Sequence, residues 1–592
     1  MNPQLSKTIF GIGIALSIAS IASIYINMLA TQNQDQNTQG GSSQQPVSSS
    51  DSASTATPET GTGTSISIII PNGAASQASS LNNDYYKPVT TNISSGSRVT
   101  WTNQDIAAHT STSGQSNNSP DSGQSFNTGT IAPGSTGSAV VTGSGKIPYH
   151  CTFHPWMIAS LQITGSSQAP STGSTPADAN VGTSLQKVSA IPTINDSRLK
   201  VTEVISNLSM PTTVAFLGPN DFLLLQKGGT VSRVTNGTLV TPPLLNVTVG
   251  TGITQGMLGV ATSNVSKTNS TYVFLYYTEV INMNQTNDLN QDQNQSNASA
   301  SEPLQNRLYR YELVSGKLVN PKLLAVLPAK EGYMDNGGYL KIGPDNNLYF
   351  SVGAVTASDV SDIQTLTQNF VNGTPVDGRA GILRMTQDGD PVLDEEGRGL
   401  LGNSSPLNLY YGYGLKDSFG MDFDPITGNL WDAEPGRIIN DEINLVKPGF
   451  NGGFEAIQGQ SVYTPAAPAD LVDFNGTGIY RNPEFVWTQK VVPVGLTFLN
   501  SNKMGTNYEN DLFLGGFLNG NIYHFDLNEN RTHLIVPSSF VYKTMATWNS
   551  TGASDITFGK GFGDISSLTV GPDGYLYVVS FGSGAIYKIE PT

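Results

Sequence analysis

GPDGYLYVVSFGSGAIYKI, residues 571–589, reads as a tight turn, an apolar strand, a glycine turn and a second strand. The phrase recurs. It stands as GPNDFLLLQKGGTVSRV at 218–234, GPDNNLYFSVG at 343–353 and DPITGNLWDAE at 424–434, with a variant, ENDLFLGGFLNGNIYHF, at 509–525. One such hairpin cannot bury both of its faces, so the units must stack on one another. Small sheets arranged around an axis meet that need, because radial closure leaves only short edges. Residues 196–592, interrupted by a polar insertion at 282–302, suit a β-propeller of six blades, with seven as the alternative.

Outward from this block the chain changes character. Its 592 residues exceed one ordinary domain. The formal net charge of -16 leaves no basic stripe for phosphates, which excludes nucleic acid as a partner. Residues 31–62 and 166–195 are polar and low in apolar side chains, and read as linkers. Between them, residues 63–165 form a separate block. Ahead of them, Lys7 precedes an apolar run from Ile9 to Ala30, long enough to cross a bilayer. Segment 1–30 is therefore expected to be a transmembrane helix anchoring a single-pass membrane protein. The alternative is a cleaved signal peptide and a secreted chain. Both put the remaining domains outside the cytoplasm. Recurrent Asn-x-Ser/Thr sequons, such as those at Asn92, Asn236 and Asn403, fit a glycosylated surface protein.

The 63–165 block reads as strands throughout: SISIII at 65–70, SRVTWTN at 97–103, SAVVTG at 138–143 and SLQITG at 160–165. An all-β sandwich is the economical fold. It holds the only cysteine of the chain, in YHCTFHPWM at 149–157. A lone thiol forms no internal disulfide. Cys151, His154 and Met157 follow at intervals of three, and His109 lies upstream after the strand around Trp101. One thiolate, two imidazoles and a weak thioether are the ligands of a mononuclear blue copper site. A buried free cysteine, a zinc site and a Cu(I) store are the competing readings. YHCTFHPWM resembles the ligand loop of amicyanin and, more distantly, plastocyanin. The resemblance covers about residues 64–165. It implies a cupredoxin Greek-key sandwich with His109, Cys151, His154 and Met157 on one copper ion, and His150 outside the ligand set.

The large block resembles the soluble glucose/sorbosone dehydrogenases. The stretches that carry this are GGYLKIGPDNNLYFSVG, GILRMTQDGD at 381–390 and the run from Leu409 to Phe454. The resemblance implies a six-bladed propeller that binds pyrroloquinoline quinone and calcium and oxidises sugars. The site residues depart from the pattern. His-x-Gly-Gly-Arg-Leu becomes Asp335, Asn336, Gly337, Gly338, Tyr339 and Leu340, so the base position falls on Asp335. Gly-His-Arg-Asn becomes Gly414, Leu415, Lys416 and Asp417. Glu-His-Gly-Pro becomes Glu434, Pro435, Gly436 and Arg437. Most cations that the quinone's carboxylates need are missing. Copper is thus the cofactor assigned, and quinone and calcium stay in question. Asp335 is the candidate catalytic base, with a turn-capping role in DNGG as its competitor. Lys416, Glu434 and Arg437 are candidates to face a pocket.

Three functions compete. The leading one is a membrane-anchored copper electron carrier whose propeller docks a redox partner protein, a carbohydrate or a small ligand. The second is a fused sugar or alcohol dehydrogenase that passes electrons to the copper domain. The third is an adhesion or scaffold protein, which leaves the copper ligands unexplained.

Overall fold

The computed structural model describes most of residues 65–163 and 191–592; residues 1–64, 164–190, 282–303 and most of 537–551 lie outside the described residues, as do short loop segments. The anchor and both linkers expected from the sequence fall largely in those stretches. Among the described residues no helix is long and apolar enough to cross a membrane.

Residues 65–163 form two sheets. The first orders Ser65–Ile70, Ser97–Asn103 and Thr136–Val141, and the first two of these run parallel. The second orders Thr90–Ile93, Ile158–Ile163, Gly145–His150 and Thr112–Ser113. SRVTWTN alternates as a sheet with one covered face requires: Ser97, Val99, Trp101 and Asn103 are buried while Arg98 is exposed. Trp101 meets Tyr149 of the other sheet edge-on at 5.6 Å and stacks on Phe126 at 5.3 Å. Ile68, Ile70, Leu161 and Ile163 complete the core, and Cys151 and Met157 lie in the same cluster. Two of the metal-ligand candidates, Cys151 and Met157, are therefore part of the core.

Among the described residues, 193–591 hold six sheets of four to six strands and one two-stranded ribbon. The opening strand of each sheet packs against that of the next, and Ile565–Val570 of the last packs back on Pro211–Gly218 of the first. The last sheet takes its outer strand, Leu199–Ile205, from the start of the block, paired with Ala585–Pro591. The arrangement is propeller-like and nearly free of helix. LYVVS, LYFSV, LWDAE and LFLGG are buried along their whole length, since each sheet is covered on both faces.

The recurring phrase has one backbone solution. Asn220, Asn346, Gly428, Asn510 and Gly574 all sit at positive φ, where only glycine and asparagine are at ease. The side chains repeat too. The Tyr349 hydroxyl donates to Asp345 Oδ2 and the Tyr577 hydroxyl to Asp573 Oδ2, each at 2.9 Å.

Candidate functional site

The small domain brings together three of the four residues singled out for copper through their donor atoms. His109 Nδ1 lies 3.7 Å from Cys151 Sγ, His154 Nδ1 lies 3.5 Å from the same sulfur, and the two ring nitrogens are 3.1 Å apart. A triangle with these edges has its centre about 2.0 Å from every corner, close to first-row metal–nitrogen and metal–sulfur bond lengths of about 2.0–2.3 Å. Met157 is wholly buried in the same core. Its amide donates to the His154 carbonyl at 2.9 Å and its carbonyl accepts from the Cys151 amide at 3.1 Å, so the loop closes on itself.

Local structure holds each donor. The Thr110 amide donates to Cys151 Sγ at 3.3 Å, favouring negative charge on sulfur. Thr110 Oγ1 accepts from the Thr152 amide at 2.8 Å, tying the two ligand segments together. Burial lowers the basicity of both imidazoles, and next to His109 the His154 ring falls to about 4, so both stay neutral donors near pH 7. His150 turns its Nδ1 to the Gly114 carbonyl at 3.0 Å, away from this triangle. A thiolate, two neutral imidazoles and a buried thioether fit copper by donor chemistry as well as by distance. The sequence reading missed Asp105, whose Oδ2 lies 2.9 Å from His109 Nε2.

The propeller pocket is of another kind. Lys416, Glu434, Gly436, Glu442, Phe454 and Gln458 line most of a space of about 210 Å³, mouth included. Asp335 sits at positive φ beside it, with Oδ1 taking a bond from Lys416 Nζ at 2.6 Å and Oδ2 one from the Thr356 hydroxyl. Both of its oxygens are therefore committed, which suits a structural brace more than a base. Glu434 Oε2 accepts from the Lys416 amide at 2.5 Å and the Asp417 amide at 3.3 Å. Asp417 Oδ1 accepts from the Gly337 amide at 2.8 Å. Arg437 sends its guanidinium outward to Glu455, and Gly436 and Gln458 form the wall beside it.

Strand pairing concentrates acid here. Leu430–Glu434 and Asp441–Val446 pair Glu434 with Glu442 and Asp432 with Asn444. Burial raises Glu442 to about 8 and Asp432 to about 7, and pushes Glu434 and Asp417 well up. Asp432 accepts from the Ser418 hydroxyl, and Asn444 beside Asp432 and Glu442 works against the rise, but burial outweighs both. Burial opposes the charge on Lys416, but Asp335 and Asp417 outweigh it and raise its pKa. Lys490 bonds the Gly436 and Arg437 carbonyls.

This set does not fit the quinone. Its carboxylates need cations, and both lysines here are committed among four or more acids. The pocket is also below the usual range of roughly 300–1,000 Å³ for ligands of that size. Among the described residues, groups of three His, Cys, Asp or Glu side chains with ligand atoms within 4.8 Å of one another occur at His109, Cys151 and His154 and at Asp511, His524 and Asp526, and none lies in this pocket.

Comparison with known proteins bears on the large domain first. The glucose/sorbosone dehydrogenase family pattern matches residues 208–588. An uncharacterised protein of Synechocystis is 24% identical over 415 residues, which cover 67% of this chain and 87% of the relative. Quinoprotein glucose dehydrogenase B of Acinetobacter calcoaceticus is 28% identical over 207 residues, 31% of this chain and 42% of the relative. This chain thus aligns with less than half of that quinoprotein's length. A solved purple cupredoxin from Nitrosopumilus maritimus is 31% identical, covering 17% of this chain and 99% of its own, with a TM-score of 0.15. Since the family pattern runs through more than half of its residues, the chain belongs to the glucose/sorbosone dehydrogenase family.

Proposed function

We propose that this chain is an extracytoplasmic oxidoreductase in which a dehydrogenase-family propeller, six-bladed, oxidises a sugar or alcohol and the electrons leave through a copper centre in the small domain. Family membership supports the first half of that reading. The single observation that carries the second is the convergence of His109, Cys151 and His154 at 3.1–3.7 Å, with His109 and Cys151 buried and His154 partly so. Bound there, copper supplies a one-electron couple in a ligand set that serves both oxidation states. The chain's residues do the rest. Cys151 presents a thiolate held by the Thr110 amide, and the core around Trp101 and Tyr149 excludes water. Oxidation of a hydroxyl to a carbonyl releases two electrons and two protons: a two-electron acceptor bound by the propeller would have to take the pair, the protons would go to water, and copper would hand the electrons on one at a time to a partner protein. The amino-terminal segment 1–30 tethers the assembly to the outer membrane face.

A specific observation favours a second reading, in which the chain is an electron carrier and the propeller only binds. The pocket holds self-satisfied carboxylates and no uncommitted cation for the family's quinone. One experiment separates the two. The purified full chain is loaded with copper, its thiolate-to-copper absorption is recorded, and a panel of aldoses and alcohols is added with and without quinone and calcium. Bleaching by a substrate supports the dehydrogenase. A blue protein that bleaches with ascorbate but with no substrate removes it and leaves the carrier. A colourless protein at full copper occupancy removes both.

A further inference from the structure

We infer that Asp105 is a positioning residue of the copper centre: it holds His109 with Nδ1 toward the ion, and its charge weights the centre toward the oxidised state. This rests on the copper reading above.

Geometry fixes the first part. Asp105 Oδ2 and His109 Nε2 are 2.9 Å apart, with side chains 1% and 0% exposed. An ionised carboxylate only accepts, so Nε2 must carry the hydrogen and Nδ1 must keep its lone pair. Nδ1 is the atom that faces Cys151 Sγ and His154 Nδ1. The carboxylate is itself held in place. Its Oδ1 accepts from the Gly73 amide at 2.9 Å, and its own amide donates to Asn103 Oδ1 at 2.9 Å. Asn103 Nδ2 donates to the Ile131 carbonyl at 2.8 Å, and Ile131 pairs with the His109 backbone in both directions. Three chain segments therefore lock one imidazole, and no bulk water reaches the pair to compete.

Chemistry gives the second part. A carboxylate bonded to the far nitrogen of a ligand imidazole makes that ligand a stronger donor. In a water-free core its negative charge also favours the more highly charged metal state. Removing the charge while keeping the shape should therefore favour the reduced state.

The test uses the full chain and D105N in two measurements. In the metal-free protein, long-range proton–nitrogen NMR correlations of His109 should show the hydrogen on Nε2. A hydrogen on Nδ1, or an even mixture, overturns the inference even if copper never enters. In the copper-loaded protein, D105N at a fixed poise should raise the Cu(I)/Cu(II) ratio at least tenfold, about 59 mV for one electron. An unchanged potential in a blue, folded D105N overturns it. If D105N does not fold, the wild-type NMR measurement decides. If the wild type takes up copper without colour, the copper reading fails while the tautomer result still stands.

Discussion

The candidate metal site and the propeller pocket are both largely buried polar clusters in all-β surroundings, yet they differ in one respect. At the small-domain site the ring nitrogens of His109 and His154 and the Cys151 sulfur converge at 3.1–3.7 Å, with Asp105 on the far nitrogen of His109 and the Thr110 amide on the sulfur. In the pocket Asp335, Asp417 and Glu434 spend their oxygens on Lys416, Thr356 and backbone amides. A converging set of imidazole and sulfur donors suits a metal ion. A network that satisfies itself mainly supports the fold.

The sharpest break of this contrast is C151S. It removes the thiolate while leaving the backbone bonds of the loop. Changes to outer partners of a metal site cost about 10–100-fold in affinity, so loss of the thiolate itself should exceed about 100-fold and abolish the thiolate-to-copper band. Copper titration followed by absorption checks this. Undiminished affinity and colour would mean that the metal sits elsewhere.

In the pocket the largest effect should come from K416M, and it should appear in stability. The substitution strands Asp335 without its cation at a buried site. Breaking a buried pair from one side costs about 3–5 kcal/mol. Denaturant unfolding of the full chain, followed by a propeller signal, reads it. A loss under about 1 kcal/mol would show the network to be replaceable, and would reopen the pocket as a binding site.

The pH dependence follows with a defined sign. Glu442 and Asp432 are raised to about 8 and about 7 in the folded chain, from ordinary values near 4. The folded state therefore holds extra protons, and stability falls as pH rises. The contribution is complete below about pH 4 and is lost as pH climbs through 7 and 8. Between pH 5.5 and 8.5 the propeller should lose stability steadily, and E442Q should flatten that slope. A midpoint that rises over the same window would contradict the burial of these acids.

Legibility in the sequence divided along the same line. SISIII and SRVTWTN became strands at the residues read for them, because alternation and β-branching are local signals. The turn phrase was legible because asparagine and glycine mark positive φ wherever they recur. His109, Cys151 and His154 stood out by chemical rarity. Asp105 did not, since an aspartate near a turn has many ordinary uses and only tertiary contact aims it at an imidazole. The acid cluster was hidden for a different reason. Glu434 meets Glu442, and Asp432 meets Asn444, only through strand register, which residue order alone does not give.

Arg437 shows how local that loss of information is, and it carries the smallest expected effect. It stands three residues after Glu434 in AEPGRI, and charge alone made it a pocket candidate. The chain turns at Pro435 and Gly436, and the guanidinium leaves for Glu455, with its side chain 36% exposed. A pair that open to water contributes about 0–1 kcal/mol, because solvent screens it and two long side chains lose freedom. R437A should therefore shift the unfolding midpoint by less than about 1 kcal/mol and leave the pH slope of the acid cluster intact. A loss comparable to that of K416M would place Arg437 in the buried network after all. The pocket would then hold a cation that a carboxylate-bearing ligand could use, and the contrast with the candidate metal site would narrow.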